Sequence, residues 1–441
     1  MAKIIDRRKN PLNAVELPLP YSCAFTGAYY AGLVMENCGI VTHCSPGCNF
    51  SLYISGTGAS ARFSRNHNLV STMLNEKNVI MGGDEILYKT LVEFAEKKPS
   101  DFQLLIAGCA PSITGDDIKE SAERAFKKTG IPVVAVNAGG FKGTTIDGYN
   151  YALNAFAESR FLDMKEKEEK TVNLLGIIPV HDIFWKGNIE EINRLLQKIG
   201  IRVNITFIGD RLRFQDFINM TSAKMNVIVS DSIGYEAAQI LQRRFDMEYV
   251  SSLEGYPIGT VATKKFLRSV AEKMGVNSRI VDSVVEEEEK QFRMALSDYE
   301  GAVKDVISRH RYFLFADSYY ALGIFNFLTG EMGMTPAGIG VSSSTDSTFE
   351  ILRSMCERFN VDPFIAIDPD NADLKNIAEQ SNPTFLIGRG EDFHLANLLG
   401  IPFLGIAPTH IHRINTSSMP LIGYRGALHL IDEMFREIAR A

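Results

Sequence analysis

Six cysteines are the residues of this 441-residue chain best suited to chemistry: Cys23, Cys38, Cys44, Cys48, Cys109 and Cys356, four of them between positions 23 and 48. Three stand beside turn-forming residues: Cys23 follows Tyr21-Ser22, Cys48 closes His43-Cys-Ser-Pro-Gly-Cys48, and Cys109 lies in Ala107-Gly-Cys-Ala-Pro111. Pro46 and Gly47 permit a tight bend and a close backbone approach to a bulky inorganic ligand. Cys109 ends an apolar run, where parallel sheets carry their ligands. Thiolates in such places suit iron, because amide N–H groups of the loops can donate to sulfur and tune the redox potential. Spacing alone leaves the alternative open, since most free cysteines are small buried hydrophobes.

Other patterns are weaker. His410-x-His412 on a strand would place both rings on one face, a metal-binding spacing, but no neighbouring cysteine or carboxylate completes a ligand set. Gly56-Thr-Gly-Ala-Ser-Ala61 matches the loose G-x-G-x-x-A pattern without a preceding strand. Gly139-Gly-Phe-Lys-Gly-Thr144 lacks the spacing of a phosphate-binding loop, so no ATP site is expected. Downstream of Cys109, Thr114 reads as a helix cap with Asp116 and Asp117 in the first turn.

The elements that must position these residues form an alternating series. From Phe102 onward, short β-branched runs alternate with helical periodicity, which predicts α/β architecture: three Rossmann-like domains with parallel sheets flanked by helices. Strands are expected at 171–178, 203–208, 226–229, 312–316, 338–341, 364–367, 384–387 and 402–406, and helices around 189–199, 236–245 and 350–359. Residues 260–309 read as mainly helical, with Glu286 to Glu289 as a solvated face. Lys165 to Lys170 reads as an exposed boundary, giving domains at 1–167 (cluster-binding), 168–300 and 301–441.

With 45% hydrophobic and 22% charged positions the chain has a globular composition. A net charge of −7 gives no general basic field, so nucleic acid is not an expected partner. No apolar stretch approaches the roughly 18 to 20 residues that cross a bilayer, and no membrane association is expected. The N-terminal residues lack the continuous apolar core of a secretory signal, which predicts a cytoplasmic protein with reduced thiols.

Taken in order, several segments resemble the nitrogenase component 1 family of molybdenum-iron proteins, nitrogenase-like reductases and cofactor-assembly scaffolds. They are Cys23-Ala-Phe-Thr-Gly27, His43-Cys-Ser-Pro-Gly-Cys48, Met81-Gly-Gly-Asp84, Cys109-Ala-Pro-Ser-Ile-Thr-Gly-Asp-Asp-Ile118, Gly140-Phe-Lys-Gly143 with Asp147-Gly148, Tyr256-Pro-Ile-Gly259, Pro383 to Gly388 and Gly423-Tyr-Arg-Gly426. The resemblance spans residues 15 to 440 and is closest to the β-type subunits. It implies that Cys23, Cys48 and Cys109 are ligands of an iron-sulfur cluster at a subunit interface, either 4Fe-4S or a larger P-type 8Fe-7S. Three thiolates per chain do not close such a site, so a homodimer or a paralogous partner subunit is implied. Cys44 replaces the glycine usual in the family's H-G-x-x-G-C segment and is a further candidate ligand; Cys38 is a weaker one, and Cys356 is expected in a helix core.

The same resemblance implies a transient ATP-hydrolysing Fe–S reductase as electron donor, in keeping with the missing phosphate loop. It also implies an interdomain cleft that takes a second metal cofactor or a tetrapyrrole. The positions that hold the catalytic metal cofactor in true nitrogenases read Ser230 and Arg413 here, and those presenting glutamine and histidine to substrate read Ile146 and Asn150. These departures argue against dinitrogen as substrate. Arg413, His412, His410, Ser230 and Asp231 are the candidate catalytic residues lining the cleft, where cations could hold an anionic substrate. The expected function is a nitrogenase-like reductase component, with a metal-cluster assembly scaffold as the alternative.

Overall fold

The computed structural model describes residues 4–6, 23–59, 68–206, 212–406 and 415–440. β1 (Ile4–Asp6) is followed by β2 (Cys38–His43), β3 (Asn68–Ser71), β4 (Phe102–Ala107) and β5 (Val133–Asn137). The last four form a parallel sheet of order β3-β2-β4-β5. β6 (Glu168–Leu175), β7 (Arg202–Thr206), β8 (Ala223–Ile228) and β9 (Glu248–Ser251) form a second, of order β7-β6-β8-β9. β10 (Arg311–Asp317), β11 (Thr335–Ser342), β12 (Phe364–Ile367), β13 (Phe385–Gly388) and β14 (Phe403–Gly405) form the third, where β1 pairs in parallel with β12 to give β1-β12-β11-β10-β13-β14. The α/β class and its three parallel sheets follow the expected pattern.

Helices cover both faces, so β2 and β4 are buried along their whole length, as parallel strands require. One apolar core runs through all three sheets, and separate clusters back the outer faces of the first and third. Among the described residues no helix is long and apolar enough to cross a membrane.

Five local expectations are corrected. Pro46 and Gly47 do not make a bend: they open helix α2 (Pro46–Ala59), the second helix after α1 (Ala24–Leu33), because proline is pre-organised for a helix's first turn. Cys48 is therefore in that turn, and Gly56 and Gly58 are helical rather than part of a nucleotide loop. After α3 (Glu76–Met81) and α4 (Asp84–Lys97), Cys109 starts α5 (Cys109–Thr114), so it too is helical. Thr114 ends α5, and the cap of α6 (Ile118–Thr129) is Asp117, whose carboxylate accepts the Glu120 N–H at 2.9 Å. Glu286 to Glu289 is not wholly solvated, since Glu288 is buried against Arg194 and Lys198. The charged run at 165–170 is exposed for the most part, but Glu168 to Lys170 already belong to β6.

Candidate functional site

Three cysteines meet at the edge of the first sheet. Cys23 is the extended residue before α1, held by a bridge to Thr144 and by the Ala24 N–H donating to the Gly143 carbonyl at 2.9 Å. That bridge depends on α1 and α7 (Thr145–Glu158) crossing backbone to backbone. A Cβ on Gly27 would collide with the Thr145 carbonyl, and one on Gly148 with the Ala24 carbonyl, so only glycine permits the approach. Cys48 and Cys109 come from the helices that follow β2 and β4, two adjacent central strands.

Two of the sulfurs flank Gly140. A Cβ built there would lie 3.0 Å from the Cys23 Sγ and 3.1 Å from the Cys109 Sγ, and the Gly140 N–H donates to the Cys109 Sγ at 3.0 Å. Ser45 Oγ donates to the Cys48 Sγ at 3.7 Å. Burial pushes the Cys48 thiol up, Ser45 opposes this, and the Cys109 and Cys23 thiols add to it. Cys23 is exposed and the other two are half-buried. Cys23 and Cys48 stand at the N-terminal ends of α1 and α2.

The donor set fits an iron-sulfur cluster: all three thiols are soft donors, none is fully buried, and an amide already points at one sulfur. Among the described residues no three histidine, cysteine, aspartate or glutamate side chains close on a point as a single metal ion needs. Two of the sulfurs flank a glycine instead. Around them Phe50, Ile80, Met81, Ile113 and Phe141 are 62–80% exposed, an apolar rim of the kind that marks an interaction surface.

Cys44 does not join the three. It is fully buried, with Ser71 Oγ 3.7 Å from its sulfur, and burial pushes its thiol up to about 11. Cys38 at the start of β2 and Cys356 in the helix Thr348–Phe359 are likewise buried.

The cleft candidates lie where β6, β8 and β10 end. Ser230 is 1% exposed and turned into its own loop, its Oγ accepting the Ile233 N–H at 2.9 Å. Asn150 braces the same loop, donating to the Ser232 carbonyl at 2.9 Å and accepting the Gly234 N–H at 2.8 Å, while Ile146 is core. Asp231 is half-buried as a residue, yet both carboxylate oxygens are sealed from solvent without a hydrogen bond of ordinary geometry. Burial raises its carboxyl to about 6. Arg413, His412 and His410 lie outside the described residues.

The sequence reading missed three further polar groups here. His181 Nε2 is 2.8 Å from Asp317 Oδ2, which also accepts from the Tyr319 hydroxyl at 3.1 Å. Asp182 accepts from the Phe184 N–H at 2.8 Å, from the Tyr320 hydroxyl at 2.9 Å and from Asn188 at 3.0 Å, and burial raises it to about 6. The Tyr256 ring centroid lies within 5 Å of those of Tyr319, tilted, and Tyr320, edge-on, and burial and then the surrounding carboxylates raise its hydroxyl far above the usual range. Only one signal pointed to these groups: each acid lies just beyond, or at the end of, a parallel strand.

Residues 23–439 match the family described as nitrogenase component 1 type oxidoreductase. A nitrogenase iron-molybdenum cofactor biosynthesis protein NifE of Rippkaea orientalis is 24% identical over 424 residues, covering 95% of this chain and 84% of that protein. One subunit of the light-independent protochlorophyllide reductase of Chaetosphaeridium globosum is 22% identical over 391 residues, 84% of this chain and 74% of that protein. The solved structure of nitrogenase Cp1 at pH 6.5 has the same fold, with a TM-score of 0.84 at 16% identity over 97% of this chain and 94% of that one.

Proposed function

Because this chain belongs to the family of nitrogenase component 1 type oxidoreductases, we propose that it is the substrate-reducing component of a nitrogenase-like system. In this reading Cys23, Cys48 and Cys109 hold an iron-sulfur cluster between two subunits. The cluster supplies one-electron transfer, fed by a separate ATP-hydrolysing Fe–S reductase. The observation that carries the reading is that the Cys23 and Cys109 sulfurs converge on Gly140 with Cys48 close enough to feel both, beside exposed apolar side chains.

Three thiolates leave a four-iron cluster one ligand short, and a second subunit across that face supplies the remainder. A second copy of this chain also covers the exposed Ile80, Met81 and Phe141. The Gly140 N–H draws electron density from the Cys109 sulfur, which favours the reduced state. Cys44 packs beneath the site as a neutral thiol.

Substrate binds in the cleft above the Ser230–Asp231 loop, and Arg413, His412 and His410, outside the described residues, are the cations assigned to an anionic substrate. A substrate other than dinitrogen suits Ser230, whose hydroxyl is spent on its own turn, and Asn150, whose amide is spent on bracing the loop. The similarity to protochlorophyllide reductase favours a tetrapyrrole. The second reading, an assembly scaffold that holds a cluster precursor without turnover, is favoured by the similarity to cofactor biosynthesis proteins.

Iron and acid-labile sulfide per chain, with native mass, test the cluster on anaerobically purified protein. Four or more irons per dimer are expected; reconstituted protein with neither iron nor sulfide overturns both readings. Steady-state ATP-dependent reduction with an added Fe–S reductase separates them, because a scaffold shows none.

A further inference from the structure

We propose that the turn at Val180 is a strained catch between the second and third sheets, one that opens locally while the sheets themselves stay folded. Val180 has a φ of 71°, and among the described residues it is the one β-branched side chain in the left-handed region. The other non-glycine residues found there are asparagine, aspartate, serine, methionine and lysine, all unbranched at Cβ. The His181 N–H donates to the Pro179 carbonyl, two residues back, at 2.8 Å, which with that φ makes a γ-turn of the rare kind. Branching at Cβ crowds the backbone in this conformation, so the turn is under strain. Val180 is nevertheless buried in the apolar core.

Strain of this sort persists only where neighbouring contacts over-determine the backbone. Those contacts flank the turn on both sides. Before it, Pro179 fixes its own φ, and the Ile178 carbonyl accepts the Asp182 N–H at 3.1 Å. After it, His181 Nε2 is 2.8 Å from Asp317 Oδ2 at the end of β10, and Asp182 accepts from the Tyr320 hydroxyl at 2.9 Å. Asp317 also accepts from the Ser342 hydroxyl at the end of β11, at 3.0 Å. Asn188, which donates to Asp182 at 3.0 Å, accepts the Leu421 and Ile422 N–H groups at 2.8 and 3.1 Å. His181, Asp182, Asn188 and Asp317 are all fully buried. A loop of the second sheet is thus bent against its preference so that two consecutive side chains reach the third.

Two effects are opposed here. The hydrogen bonds to the third sheet hold the turn shut, and the strain favours its release, so one event breaks the anchors and relaxes the backbone. A loop built in this way opens at a cost well below that of global unfolding. Its place gives the opening a use. The loop follows β6, and its first residue, Gly176, lies against the loop after β8, where a Cβ would come within 3 Å of the Val229 and Ser230 amide nitrogens. Release therefore widens the cleft at its floor and admits an incoming molecule. A reductase and an assembly scaffold need such an entrance alike.

Hydrogen exchange read by mass spectrometry on the full-length, anaerobically purified protein tests this, with Val180→Gly and Val180→Ala variants. After correction for intrinsic rates, wild-type segments 177–184 and 419–424 are expected to exchange together, about 10-fold or more faster than 171–175 of β6. The variants test the strain itself, since both lose most of the buried side chain. At an ordinary backbone position alanine resists opening better than glycine, because glycine gains more freedom on release. At Val180 the order is expected to reverse, since glycine alone takes this φ without strain: both segments should exchange about 5-fold or more slowly in Val180→Gly than in Val180→Ala. Slower exchange in Val180→Ala overturns the catch. So does wild-type exchange of 177–184 no faster than that of β6, a comparison that stands even if neither variant folds.

Discussion

His43 Nε2 and Asp116 Oδ2 are 2.9 Å apart in a buried pair that ties together the two segments carrying Cys48 and Cys109. His43 is the last residue of β2, and its other ring nitrogen is 3.0 Å from Thr72 Oγ1 beyond β3. Its carbonyl accepts the Gly108 N–H at 2.9 Å, and Asp116 accepts from Thr114 at the end of α5. One imidazole thus spaces three loops.

Replacing His43 by Gln or Asp116 by Asn is expected to cost about 1–3 kcal/mol, because each leaves a buried polar partner unpaired. Burial holds His43 below the usual imidazole range, against the pull of Asp116. Below pH 6.5 the unfolded chain therefore takes up a proton that the folded chain resists, and stability falls on acidification. His43→Gln removes this contribution. Denaturant midpoints of the two proteins at pH 7.5 and 5.5 check it: the variant should lose less than the wild type.

Gly140→Ala is expected to disturb the cluster and spare the fold, since the added methyl meets only the cysteine side chains. A loss of about 10-fold or more in iron affinity follows for a change touching two ligand sulfurs. Iron and sulfide per chain, beside an unchanged circular dichroism melt, would register it. Full iron retention would place the cluster away from Gly140.

Cys44 and Cys48 should behave oppositely. Cys48→Ala is expected to strip iron with little change in thermal midpoint. Cys44→Ala is expected to keep iron and lose about 1 kcal/mol, the cost of a small cavity under the sheet. Iron content and melting of the two variants side by side decide whether Cys44 is a ligand.

Glu288 is buried where the helix Ser278–Ser297 meets α8 (Trp185–Lys198), with Arg194 Nη1 at 2.5 Å and Lys198 Nζ at 2.7 Å. Glu288→Ala leaves Arg194 with Glu191 and Lys198 with Glu287 as remaining partners and should cost about 1–3 kcal/mol. Although burial opposes it, pairing with Arg194 and Lys198 holds the Glu288 carboxyl below its usual value. The stability it contributes is present above pH 4.5 and lost as pH falls through its lower folded value. Unfolding curves at pH 7 and pH 3.5 should show wild type and variant converging in acid.

Periodicity made the sheets legible. β12 occupies Phe364–Ile367, the residues its apolar run marks out, and β13 is displaced by a single residue. Local rules failed where tertiary partners intervene. Glu288 sits in a run of four acids that reads as a solvated face, and only the arrival of Arg194 buries it. The three cysteine segments were legible as a set through their family resemblance, but their helical placement was not, because a Pro-Gly pair opens a helix as readily as a turn. His181 and Asp317 were beyond reach, 136 positions apart with nothing in either segment naming the other.

The pairing of Ile4 with Ile365 sets an order on biosynthesis. β1 is translated long before β12, so its place in the sheet does not exist until β10, β11 and β12 have been made. For most of synthesis it is an unmatched strand, and the β12 edge stays open until β1 returns. A bulky fusion ahead of Ile4 would therefore burden the last act of assembly rather than the first, leaving the thiol-bearing sheet to form normally.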